Sequence, residues 1–441
     1  MRLSNITWLR LPFGRVFGYD VSVSEPGEEL PVSFDQARHV GEGDRPGSWM
    51  ALSFTLPAPC DRAALAAAWL KVIARHGTLR SVFTPGPDGP ELHRVQVGPG
   101  GWAEHPVGPG QAVNEALGRV FDDYCRPYSR PSHRLCVVET ATAPTVVIAA
   151  DHAHVDMWSM LVIVRDLLTA LSATEAARGF GEPGDVVRPR GALPEEFAAH
   201  TRALAQRRPA PAGVRRRWAQ ILHAGGDAMP TFPLPLDAAQ PGPERVEVRD
   251  VLDREQAAAL SERARAEGVS TLALVIAAMA QVTRELADRP LRAVFPVHSR
   301  YEERWHDSVG WFITNSVIEV PGTDPLSAAA ALKEAIGLGS HPLAEVLAPF
   351  GGMPRTPEMF AISWLDLRRL PVRIDSVGLD AQYVSARVST DGVMLWFIVD
   401  DQGLHLRCRY PDTLRARHHV GTWLDRVVEE LRTLSARPAS A

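Results

Sequence analysis

Residues Ile148–Leu161 read IAADHAHVDMWSML and place His152, His154 and Asp156 at alternating positions after an apolar run. Two chemistries use these residue types at this spacing. Two imidazoles and a carboxylate are enough to hold one zinc ion, which would activate a water. Alternatively, a single imidazole at a strand end, His152, moves a proton near neutral pH. The unpaired N–H groups of a helix starting near Trp158 would then favour negative charge nearby, such as a developing oxyanion. A third reading is structural only: His152 and Asp156 cap that helix and satisfy the turn.

The elements that must position this stretch follow from its flanks. TVVIAA predicts a strand, and HRLCVVET predicts another on the far side of a turn at Pro144. The apolar period of WSMLVIVRDLLTALSATEAARG predicts a helix, so the His/Asp cluster falls in a strand-to-helix loop. Upstream, Met50–Leu56 alternates as a strand, and Asp61 caps an amphipathic helix that Gly77 stops. The stretch 181–212 is rich in Pro, Gly and Arg and is expected to connect two lobes, spanning residues 1–180 and 213–441. The second lobe again mixes the two periods. LRAVFPVHSR, WFITNSVIEV, MFAISWLDL, GVMLWFIVDD and GLHLRCRYP predict strands, and the chain closes on the amphipathic helix RARHHVGTWLDRVVEELRTLSA. Two α/β or α+β lobes are therefore expected.

Composition narrows the class. At 441 residues the chain exceeds what one ordinary core supports, and 45% hydrophobic with 22% charged residues is a globular balance. A net charge of −5 gives no general attraction for nucleic acid or an anionic membrane. No apolar run reaches the length of a bilayer span, and the N-terminus lacks the apolar region of a signal peptide, so a soluble cytoplasmic protein is expected. Cys60, Cys125, Cys136 and Cys408 show no paired spacing and read as reduced, mostly buried thiols.

Family resemblance weighs between the readings. The H-x-H-x-D pattern is similar to the zinc loop of metallo-β-lactamase-fold hydrolases, H-x-H-x-D-H, but Met157 stands where the last ligand belongs. The whole chain resembles, over more positions, the condensation domains of nonribosomal peptide synthetases in stand-alone form. Their H-H-x-x-x-D-G signature falls on Asp151, His152, Asp156 and Met157. RHGTLRSVF at Arg75–Phe83 matches their R-H-E-x-L-R-T-x-F segment. PVHSRYEERWHDSVGWFITNSV resembles their Arg-containing and G-x-F-x-N-T segments, RCRYPDTL their final Arg/Tyr segment, and SFDQARHV at Ser33–Val40 their opening motif.

The resemblance implies two lobes like chloramphenicol acetyltransferase, set as a V-shaped pseudodimer around a central tunnel. It implies that His152 positions and deprotonates an attacking amine or hydroxyl. Asp156 would hold the loop through Arg300. Asp151, Met157, Trp158, Gly310, Trp311, Asn315 and Ser316 would lie on the tunnel or acceptor side. A peptidyl carrier protein would bring the donor as a phosphopantetheine thioester, with no cofactor permanently bound, and the acceptor would be a small molecule or a second carrier's cargo. The expected product is an amide or an ester of secondary metabolism. Asp151 in place of the first His and Met157 in place of Gly leave open a module that binds carriers or partners without catalysing.

Overall fold

The run TVVIAAD is buried at every position, as a central strand with both faces covered must be. In the computed structural model, which describes residues 1–177 and 193–436, it is the fourth of seven strands in one sheet. We number these strands β1 (Arg2–Asn5), β2 (Arg15–Tyr19), β3 (Trp49–Thr55), β4 (Trp102–His105), β5 (His133–Glu139), β6 (Thr145–Asp151) and β7 (Gln382–Ser385). Their order is β1-β7-β3-β6-β5-β2-β4, and all neighbours are antiparallel except β1 and β7. Five helices serve this sheet and its loops: α1 (Phe34–Gly41), α2 (Arg62–Arg75), α3 (Val113–Tyr124), α4 (Met157–Ala177) and α5 (Phe197–Ala205). Asp61 caps α2, as its sequence predicts. α4 is apolar around most of its circumference and packs on α2, with Met160 through Val164 almost fully buried.

The chain forms two compact units. The first holds Met1–Gln206, Arg300–Phe312 and Leu370–Arg387; the second holds Arg207–Ser299, Ile313–Arg369 and Val388–Ala441. The second unit has its own seven-stranded sheet, in the order 313–320, 291–298, 360–366, 393–400, 403–411, 242–253, 389–390. Its core packs the helices Thr271–Ala287 and Leu414–Ala436 on one face of that sheet, around Leu395, Phe397, Leu406 and Trp423. Ser270 caps the first of these helices. Both units are mixed α/β, as the alternating patterns predict.

The division differs from the expected boundaries at 180 and 212. Two later segments return to the first unit for identifiable reasons. β7 completes the sheet by pairing with β1 and β3, and residues 300–312 are tied to α4 by a buried ion pair described below. The expected connection is also not merely a connection. Residues 181–192 lie outside the described residues, but α5 folds within the stretch and buries Phe197 against Trp305 and Phe312. Apolar pairs in FAAHTRALA carried that helix despite the surrounding Pro and Arg. No single described helix is long and apolar enough to cross a membrane. Cys125, Cys136 and Cys408 are buried free thiols, and Cys60 is partly exposed.

Candidate active site

β6 ends at Asp151, and the turn His152–Asp156 leads directly into α4. The turn is fastened at several points. The His152 amide donates to the Ser48 carbonyl at 3.0 Å, and the His154 amide to the Asp151 carbonyl at 3.0 Å. Gln36 of α1 closes a capping box with Ser33 and donates its side-chain amide to the Ala153 carbonyl at 2.8 Å. A single residue thus terminates one helix and braces the loop before another.

Asp156 is the anchor of the loop and is almost fully buried. It accepts the Ser159 amide at 2.6 Å, an N-cap contact, and the Phe312 amide at 3.0 Å. Arg300, equally buried, donates to both its carboxylate oxygens at 3.1 and 3.3 Å. The same guanidinium donates to the carbonyls of Trp305 and Ser308 and to the Ser159 hydroxyl, at 2.7–2.8 Å, and lies over the Phe312 ring. Burial lowers the Arg300 pKa, and Asp156 opposes this. The expected Asp156–Arg300 pair is therefore present, and it bonds backbone and side chains rather than any open space.

His152 is partly exposed, in contrast to its neighbours in the turn. Its ring stacks on Trp311 with centroids 4.3 Å apart and planes 28° from parallel. Nδ1 meets no polar atom of another residue. Burial lowers its pKa from the ordinary 6.5, and the nearby His39 adds to the effect; its own backbone carbonyl, Asp151 and Asp156 favour the protonated form. A neutral imidazole at neutral pH is the result.

Asp151, where the resemblance expected a first histidine, is fully buried and faces α1. The Ser48 hydroxyl donates to it at 2.5 Å, the Ala153 amide at 2.8 Å, and His39 Nε2 lies 3.3 Å from each carboxylate oxygen. Burial alone would raise its pKa, but the hydrogen bonds from His39 and Ser48 outweigh it and hold the carboxyl below its usual range.

The other expected site residues fare differently. Met157 opens α4 with ordinary backbone angles, so the glycine of the signature is not needed for conformational freedom here, and its carbonyl accepts the Tyr383 hydroxyl at 2.7 Å. Trp158 is buried, donates to the His306 carbonyl at 3.0 Å and braces the 303–306 turn. Gly310 lies against Phe197, with its amide and carbonyl both bonded to Ser159. Ser316 belongs to the second unit, where it is fully buried and donates to the Ala335 carbonyl at 2.6 Å, a packing role. Asn315 is half-buried on the same strand.

The zinc reading needs His152, His154 and Asp156 to converge, and they do not. His154 is buried beside Thr78 and Phe83, and Asp156 is committed to Arg300 and two amides. Among the described residues, no group of three His, Cys, Asp or Glu side chains is placed to hold a metal ion. Residues that the sequence did not single out are His39, Ser48, Ser159 and Tyr383. A signal existed for α1: Ser33-x-x-Gln36 is a capping-box pattern, and it places Gln36 and His39 on one helical face.

Comparisons with known proteins bear on the fold. The chain superposes on PapA2 acyl transferase with a TM-score of 0.83, covering 99% of this chain and all of that one at 18% identity. The first condensation domain of the calcium-dependent antibiotic synthetase gives a TM-score of 0.69 at 16% identity, over 95% of this chain and 98% of that one. SgcC5 from Streptomyces globisporus gives 0.65 at 19% identity, over 93% and 99%. In sequence, the chain is 30% identical over 319 residues, 67% of its length, to a probable non-canonical nonribosomal peptide synthetase, CymA, from Salinispora arenicola. The chain spans only 4% of that relative's length. No protein-family model matches the chain. The protein has the mixed α/β, two-lobed condensation-domain fold shared with PapA2-type acyltransferases.

Proposed function

We propose that this chain is an acyltransferase of the condensation type, moving an acyl or aminoacyl group from a carrier-protein phosphopantetheine thioester to an amine or alcohol. The observation that carries the reading is the placement of His152: partly exposed, stacked on Trp311, and held on a turn between the buried Asp151 and Asp156, each fixed by hydrogen bonds. His152 Nε2 takes the proton of the attacking N–H or O–H as the nucleophile forms its bond to the thioester carbonyl. The C–S bond then breaks, and the proton passes to the departing thiolate. Asp156 and Arg300 keep the loop in place and touch no reacting atom.

Intact-mass analysis of loaded carrier proteins, incubated with small amines and alcohols, tests this directly. Product formation that is lost in His152→Ala and unaffected by a chelator supports transfer. Carrier binding without turnover across a broad panel would support a non-catalytic module instead, and chelator-sensitive hydrolysis would overturn both.

A further inference from the structure

Trp311 sits on a backbone clamped from both sides. The residue before it, Gly310, exchanges hydrogen bonds with the Ser159 hydroxyl at 2.8 and 3.1 Å, and the residue after it donates to Asp156 at 3.0 Å. Both partners belong to the first turn of α4 or its cap. The indole is therefore tied to the element that carries His152, although it lies far along the chain.

The indole has a second neighbour. His39 of α1 meets it edge-on, with centroids 5.3 Å apart and planes at 83°. Both nitrogens of His39 are engaged: Nε2 faces Asp151, and Nδ1 lies 3.2 Å from Arg45 Nη2. A guanidinium can only donate, so in the neutral ring Nδ1 accepts and Nε2–H points at the carboxylate. His39 thus has no nitrogen left for a reacting proton, and its own ring is fixed.

We propose that Trp311 is the positioning residue of this site, a platform that sets the tilt of the His152 imidazole and, held by His39, stabilises its protonated form. An imidazole turns about a broad torsion, and Nδ1 of His152 has no outside partner to fix it. A stacked indole supplies that restraint. Once His152 has taken the proton, its positive charge lies over the negative face of the indole, an attraction strengthened where water is excluded. The other charged or titratable groups facing His152 are His39 from α1 and Asp151 and Asp156 from its own turn, with Arg45 behind His39.

The inference deepens the acyl-transfer reading, and its kinetic arm rests on that reading. Its first test does not. In full-length protein carrying ¹³C-labelled histidine, His152 is titrated by NMR, its signal assigned through His152→Gln. In Trp311→Leu the His152 pKa is expected to fall by about half a pH unit or more, with Trp311→Phe restoring most of it. In the carrier assay, Trp311→Leu is expected to lower kcat by about tenfold or more with KM changed less than about threefold. His39→Gln, which removes the edge-on ring but keeps a donor for Asp151 and an acceptor for Arg45, is expected to lower kcat in the same direction as Trp311→Leu and by less.

A Trp311→Leu protein with dispersed spectra whose His152 titrates as in wild type overturns the proposal. A wild-type protein that turns over no thioester sinks the acyl-transfer reading while leaving the titration to decide the role of Trp311.

Discussion

At the scale of single residues, the site separates a scaffold pair from a working base. Asp156 and Arg300 are buried together, and removing one leaves the other as an uncompensated charge. Asp156→Asn is expected to lower folding stability by about 3 kcal/mol or more in urea titrations, and adding Arg300→Met should recover part of the loss. His152 behaves otherwise. Burial, then His39, holds its pKa below 6.5, so its base form persists through neutral pH. The pH profile of kcat/KM should stay level above pH 6.5 and fall on the acid side below it, a limb absent from the residual rate of His152→Ala. His152, Asp156 and Arg300 were legible because each sits in a recognisable local pattern. His39 and the stacking role of Trp311 were not, because their meaning depends on one indole meeting residues 39 and 152 in space.

At the scale of elements, strand and helix patterns are legible in the sequence where the apolar period is strong, as for β6 and α4. The failures share a cause. α5 lies in Pro- and Arg-rich surroundings, and β7 has four residues; each is stabilised by what it packs or pairs with, not by its own period. α5 has a direct link to the site, since a Cβ at Gly310 would overlap the Phe197 ring. Gly310→Ala is therefore expected to cost about 1–3 kcal/mol and to displace the loop that carries Trp311. Thermal melts should show the destabilisation, and carrier assays a loss of rate larger than the stability change alone explains. Phe197→Leu in the same background should relieve both.

At the scale of the whole molecule, histidine burial ties stability to pH. His76, His133 and His154 of the first unit are all pushed down by burial, His133 to about 4. The unfolded chain binds protons at these rings below about pH 6.5 that the fold excludes, so their contribution is full above that pH and is lost on acidification. His133 alone accounts for about 3 kcal/mol by pH 4. Denaturation midpoints should fall between pH 6.5 and 4, less steeply in His133→Gln, which keeps a donor for the Leu79 carbonyl.

The insertion of β7 between β1 and β3 also sets a timetable for synthesis. A nascent chain leaving the ribosome cannot pair Asp156 or seat Trp311 until residues 300–312 have emerged, and cannot close the first sheet until residues beyond Ser385 have. At about 5–20 residues per second, the polypeptide bearing His152 waits on the order of ten seconds or longer with an open sheet edge and an unmatched carboxylate. Slow decoding between residues 152 and 385 would lengthen the interval in which a chaperone must shield that edge.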